Sequence, residues 1–154
     1  MSMTERFLCF NLNSEEYGIP LLSVREVIGL PEFTPVPYTP NYFSGLMNLR
    51  GQVLSCIDLR TKLGMKPIKS EEEAVVICDI NGTQLGITVD MVNSVLVADK
   101  QEISPKPEIE SGKSSEYITG VFRKEKRLVL LLDITKLFGK DDVQLANKSK
   151  TIAA

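Results

Sequence analysis

Histidine is missing from this chain. Without an imidazole there is no Ser-His-Asp or Cys-His nucleophilic site, no histidine-bound metal and no phospho-accepting histidine. Cysteine is scarce: Cys9, Cys56 and Cys78 are the only three, all inside apolar strand-like runs and without CxxC spacing. That excludes a disulfide framework and fits free thiols buried in a reducing compartment. No apolar run reaches the roughly 18 residues that a membrane-spanning helix requires. The opening MSMTERFLCFNL lacks an apolar stretch followed by a small-residue cleavage site. The chain is therefore expected to be soluble, cytoplasmic and not inserted in a membrane. Basic residues number 18 against 20 acidic ones, with no basic stripe, so no nucleic acid is expected as partner. No metal or cofactor is expected either.

What is present is organised around Phe43–Gly64, FSGLMNLRGQVLSCIDLRTKLG. Two apolar runs flank Arg50-Gly51-Gln52, the pattern of strand, turn and strand. Asp58 is placed to cap the short helix that follows, and Gly64 to end it. The chain writes this stretch again as Tyr117–Gly139, 75 residues later, with Gly45 on Gly120, Asp58 on Asp133 and Gly64 on Gly139. Upstream, the stretch from about Phe7 to Pro37 recurs at an offset of 68, with Gly18 on Gly86, Val24 on Val92 and Val27 on Val95. The change of offset places a seven-residue insertion within Glu108–Glu116. Residues 21–30 read either as a helix or as a short turn leading into a strand. Pro31 to Pro40 reads as extended connection. Each copy thus holds about five short strands and little helix, and strands left with two open edges aggregate. The expectation is a mainly β protein of two small barrels, related by a pseudo-twofold and sharing an apolar seam.

A duplication separates architecture from function. Positions kept in both copies, Gly18 and Gly86, Gly120 with Gly45, Asp58 and Asp133, Gly64 and Gly139, are expected to be structural, as is Gly51 in its turn. An aspartic-protease pair made of Asp58 and Asp133 is rejected, because the triplets Asp58-Leu59-Arg60 and Asp133-Ile134-Thr135 lack the small residue and glycine that let two carboxylates meet. Positions that break the symmetry are the functional candidates. Arg50 is opposed by Glu125, Glu26 by Ser94 and Arg25 by Asn93. The first copy has gained an acid and a base that form either a pair offered to a partner or an ordinary surface salt bridge.

These residues resemble a known family. Asn48-Leu49-Arg50-Gly51-Gln52-Val53, then Ile57-Asp58-Leu59-Arg60, is similar to the signature of the CheW family of bacterial chemotaxis coupling proteins. The resemblance runs from about Phe7 to Phe138. It takes in Glu16-Tyr17-Gly18-Ile19, Val24-x-Glu26-Val27, Pro37-x-x-Pro40, Gly86-Ile87-x-Val89-Asp90 and Glu116-Tyr117-Ile118-Thr119-Gly120-Val121. Ser55 departs from it, standing where the family usually has proline, on what reads as an edge strand.

The resemblance implies two five-stranded SH3-like β-barrels with short helices. The domain would span 4–139, as interleaved barrels of about 13–68 and 1–12 plus 74–139, followed by a polar tail, 140–154. It implies no catalysis. Such proteins couple membrane chemoreceptors to the histidine kinase CheA by binding the receptor's cytoplasmic hairpin tip and the kinase's regulatory domain. They are monomers when free and are assembled in receptor arrays. Met1 and the tail fit a free-standing adaptor. The family's receptor groove carries over onto Val24, Glu26, Arg50, Val75, Val92 and Val95, although apolar positions kept in both copies also suit a core. For the kinase, Phe33, Val36 and Tyr38 are candidates through exposed apolar surface, and Gly45 through backbone fit. The alternatives are a scaffold for another two-component system and, from a different class, a small carboxylate-based enzyme.

Overall fold

In the computed structural model, residues 4–105, 116–140 and 142–144 are described. Thr4–Leu12 (β1) decides the architecture. Phe7 and Cys9 pack on one side of this strand and Leu8, Phe10 and Leu12 on the other, and all five are buried. A strand buried on both faces must have apolar matter in front and behind. β1 turns through Asn13-Ser14, both at positive φ, into Glu15–Pro20 (β2). A 3-10 turn, Leu21–Ser23, leads into Val24–Gly29 (β3). Of the two readings of residues 21–30, the turn and strand is the one formed.

The organising stretch forms Phe43–Leu49 (β4), Gln52–Asp58 (β5) and the helix Leu59–Lys62 (α1). Asp58 caps this helix by accepting from the Arg60 N–H at 3.0 Å. At the other end Gly64 N–H donates to Thr61 O and Met65 N–H to Arg60 O. Gly64 lies at φ 80°, the left-handed conformation that this helix stop requires. The second copy supplies Ala74–Ile80 (β6), Thr83–Val89 (β7), Met91–Asp99 (β8), Ile103–Pro105 (β9), Ile118–Lys124 (β10), Arg127–Leu132 (β11) and Ile134–Leu137 (α2). Gly139 does not close α2 as expected. Its carbonyl accepts from the Asp142 and Val143 N–H groups, so the chain starts another helical turn there.

The strands form two sheets, ordered β8-β1-β2-β11-β10-β9 and β3-β6-β7-β5-β4. The hairpin that opens each copy lies in the other copy's sheet. β1–β2 is wedged between β8 and β11, and β6–β7 between β3 and β5. This corrects the expected partition into 13–68 and 1–12 plus 74–139, which moved β1 alone and kept β6 and β7 in their own half. A hairpin paired along its whole length travels as a unit, so β2 follows β1, and β6 and β7 move together. The sheets hold six and five strands, the difference being β9. Its counterpart is the single bridge between Thr34 and Leu46, which matches the Ser104–Val121 pair. β5 is interior rather than an edge, and the Ser55 hydroxyl it carries is buried without a hydrogen-bond partner.

Because β1 and β6 each face two ways, the core is threefold. Phe7, Cys9, Leu96, Phe122 and Leu131 fill one barrel, and Met47, Leu54, Cys56, Val75 and Ile77 the other. Between them lies a shared seam of Phe10, Leu12, Ile19, Val76, Cys78, Ile80, Leu132 and Leu137. Gly86 is held where a Cβ would stand 2.5 Å from Cys56 Sγ and 2.8 Å from Val75 Cγ1. The expected insertion lies almost wholly outside the described residues, as does the tail beyond 144. Among the described residues no helix is long and apolar enough to cross a membrane.

The exchange of hairpins makes a prediction. A protease site introduced into the exposed linker at Ile68–Lys69 of the full chain, cleaved after folding, should leave the two pieces in one particle that unfolds cooperatively. Size-exclusion chromatography with thermal melting checks this. Two separable folded fragments would contradict the lent hairpins.

Candidate functional site

Arg50 occupies the first position of the two-residue turn Arg50-Gly51, at φ 48° followed by 86°. Asn48 Oδ1 accepts the Gly51 N–H at 2.9 Å and holds the turn closed. Left-handed backbone is uncommon for a residue with a long side chain. Glu26 sits just past a bulge in β3, between Val24 and Glu26, which re-aims the following side chains. The two meet as a fork, Arg50 Nη2 to Glu26 Oε1 at 2.5 Å and Nη1 to Oε2 at 3.4 Å. Since β3 and β4 are the edges of the five-stranded sheet, the pair bridges those edges. The hydrogen bonds and charge of Glu26 raise the Arg50 pKa above its ordinary value. Two of the five guanidinium donors serve Glu26, which leaves three for solvent or a partner's carboxylate. With the Arg50 side chain 70% exposed, the pair stabilises the fold little.

The valines divide. Val24 and Val92 are half-buried, and both pack against the shared seam from opposite copies. Val95 is 49% exposed on β8, and its repeat mate Val27 is 40% exposed on β3. Val75 is withdrawn as a partner contact: it is fully buried and fills the barrel beside Cys56 and Met47. Gly45 is withdrawn as a surface contact for the same reason. It is buried at φ 138°, and a Cβ there would lie 2.5 Å from Thr34 O, so it is the point where the proline-rich strap crosses β4. Of the other kinase candidates, Phe33 and Val36 pack onto the core clusters, and Tyr38 stands fully exposed at φ 61°. Gly18 and Gly120 are close approaches, to Leu131 and Ser104 respectively, as expected of architectural positions.

Two polar constellations escaped the sequence reading. Arg60 is 3% exposed and is held by Asp58 through paired 3.0 Å contacts, by Asp90 at 2.9 Å, by Glu73 at 3.3 Å and by the Ile68 carbonyl at 3.1 Å. Burial would lower its pKa, and the surrounding carboxylates more than reverse that. Asp58 therefore does more than cap a helix. The repeat carries the signal that could have found Arg60, since its mate is Thr135. In the second copy Thr135 Oγ1 donates to Asp133 at 2.6 Å. Burial would raise the Asp133 pKa, and the Thr135 and Lys136 donors more than offset it, leaving it lowered. Asp142 forms the second constellation with Tyr42 and Lys62. It was invisible because its partners lie 80 or more residues away in sequence. The three thiols are buried, and burial pushes Cys9 up to about 11 and Cys56 and Cys78 up to about 12.

Arg50 and Glu26 form an exposed ion pair between the edges of one sheet, and comparison with known proteins gives the family. The family of CheW-like domains matches residues 6–142. A chemotaxis protein CheW from Klebsiella aerogenes is 37% identical over 144 residues, covering 93% of this chain and 87% of the relative. Another, from Treponema pallidum, is 30% identical over 148 residues, covering 92% and 87%. The crystal structure of scaffolding protein TtCheW from Thermoanaerobacter tengcongensis is similar with a TM-score of 0.82 and 28% identity, covering 91% of this chain and 96% of that one.

Arg60→Met should unfold at markedly lower denaturant, a loss of about 3–5 kcal/mol, because three carboxylates lose a buried counter-charge. Arg50→Ala, at an exposed pair, should leave the urea midpoint close to that of the parent.

Proposed function

The chain belongs to the CheW-like family, and we propose that it is a non-enzymatic chemotaxis adaptor, coupling membrane chemoreceptors to the histidine kinase CheA. The relatives above are named for chemotaxis and the solved neighbour for scaffolding, and neither description is of an enzyme. The observation that carries the reading is the Arg50–Glu26 fork. It is exposed, it is set on left-handed backbone, and Glu125 and Ser94 stand at its repeat positions. Arg60 is also unmatched in the second copy but is buried among its partners, whereas Arg50 is exposed and keeps donors unused.

The receptor's cytoplasmic hairpin tip is assigned to a face made of Val24, Glu26, Arg50, Val92 and Val95. The half-buried valines supply apolar contact, and the free guanidinium donors select a carboxylate. The kinase's regulatory domain is assigned elsewhere, with Tyr38 the exposed aromatic candidate. The protein would work in the cytoplasm, recruited to receptor arrays. No bond is made or broken: receptor state reaches the kinase as a difference in binding free energy between two states, typically 1–3 kcal/mol. Micromolar contacts, about −8 kcal/mol each, suffice once an array makes them multivalent.

Calorimetry with a receptor hairpin-tip peptide and a CheA regulatory domain tests this. Arg50→Ala should weaken the peptide roughly tenfold, or about 1.4 kcal/mol, and leave the kinase domain's affinity and the cooperativity of unfolding unchanged. Unaltered peptide affinity, or no binding of either partner by the folded parent, would overturn the assignment.

A further inference from the structure

Helix α1 is four residues long, yet two of its side chains are cations that both run to carboxylates tied to the other sheet. Arg60 Nη1 reaches Asp90 Oδ1, and the second oxygen of Asp90 accepts the N–H of Asn13 at 2.8 Å, in the turn of the hairpin lent to the other barrel. Lys62 Nζ lies 2.9 Å from Asp142 Oδ2, on the segment that leaves the other barrel through α2. The Tyr42 hydroxyl donates to the remaining Asp142 oxygen, Oδ1, at 2.6 Å, and the Gly139 N–H donates to Oδ2 at 3.3 Å. The ammonium also stands 4.1 Å from the centre of the Tyr42 ring. The Asp142 side chain is only 2% exposed. Burial would lower the Lys62 pKa, and Asp142 more than offsets it.

In α2 the repeat mates of Arg60 and Lys62 are Thr135 and Leu137. Among the described residues Thr135 bonds only to its own cap, and Leu137 is core. Both ends of the seam are packed apolarly, by Leu59 at α1 and by Ile134 and Leu137 at α2, and the α1 end adds directional charge pairs. Apolar contact resists separation but tolerates sliding, whereas a buried ion pair with fixed donors has one favourable geometry.

We infer that α1 is a two-pronged charged clamp that fixes the setting of one barrel against the other, with Asp142 as the closing prong. The segment after Phe138 is thereby a working strap and not merely a polar tail. This inference stands apart from the adaptor reading and needs no partner to test.

The test uses the full chain carrying Val97→Cys and Gln52→Cys, exposed positions on the two sheets. Nitroxide labels there are read by pulsed electron resonance, and the native thiols, all buried, stay unlabelled. The parent should give one narrow interspin distance. Lys62→Met and Asp142→Asn should each broaden or split it, and should speed amide exchange in the Asn13-Ser14 turn and α1 by roughly tenfold. The double variant, in which no charge is left unpaired, should recover part of the exchange protection. Asp142→Asn keeps an acceptor for Tyr42 and carries the test if Lys62→Met fails to fold. An unchanged distance distribution with a lower melting temperature would reduce the clamp to a local stabiliser and overturn the inference.

Discussion

The structure depends on one constraint: β1 and β6 are apolar on both faces, so each must be covered twice. A single barrel of this size offers one interior. Lending each hairpin to the other copy's sheet supplies the second cover, because the strand's inner face then fills the host barrel while its outer face meets the corresponding strand across the seam. A core divided between two minimal barrels would leave each marginal. Here the largest of the three clusters belongs to neither barrel alone. The loops that follow are consequences. The β2–β11 and β5–β7 pairs are parallel because the lent hairpin enters against the chain direction of its host's last hairpin.

The duplication kept this framework and diverged at its polar fittings. Arg25 and Asn93 are the bulge residues of β3 and β8, and both tie the lent hairpin to its host. Arg25 pairs with Asp79 at 3.8 Å, while Asn93 donates to Asn11 and Glu16, which Arg127 also holds. The same junction is fastened by an ion pair in one copy and by a network in the other. Symmetry breaking therefore marks function only when the structure gives the diverged residue no architectural duty. Arg60, buried among three carboxylates, has such a duty and the exposed Arg50 has little, which is why the two, both unmatched in the second copy, receive different assignments.

The residues showed the repeat, the hairpins, the caps at Asp58 and Asp133 and the mainly β class, because each of these is encoded within a dozen neighbours by alternation, turn residues or spacing. The exchange of hairpins was only half legible. The unbroken apolar run Phe7–Phe10 suits a strand buried on both faces but does not say whose interior each face fills. Val75 was misread because its apolar type suits groove and core alike, and only the parity of β6 decides: odd positions face the barrel and even ones the seam. The Arg60 and Asp142 constellations were least legible, since they join segments far apart in sequence and no local pattern announces a carboxylate's distant partner.

The contrast between Arg50 and Arg60 shows what burial does to one chemistry. Both are arginines held bidentately by a carboxylate, ten residues apart on the same hairpin-helix unit. At Arg60 water is excluded and every nearby carboxylate needs the guanidinium, so the group is committed to the fold and has no donor to spare for a partner. At Arg50 water competes, the ion pair contributes little stability, and the unused donors remain available. A binding arginine has to be positioned without being committed, and the left-handed turn with Glu26 beside it provides that positioning at small electrostatic expense. The first copy therefore holds a charge that fixes geometry beside one whose donors stay unused, and the matching positions of the second copy are Thr135 and Glu125.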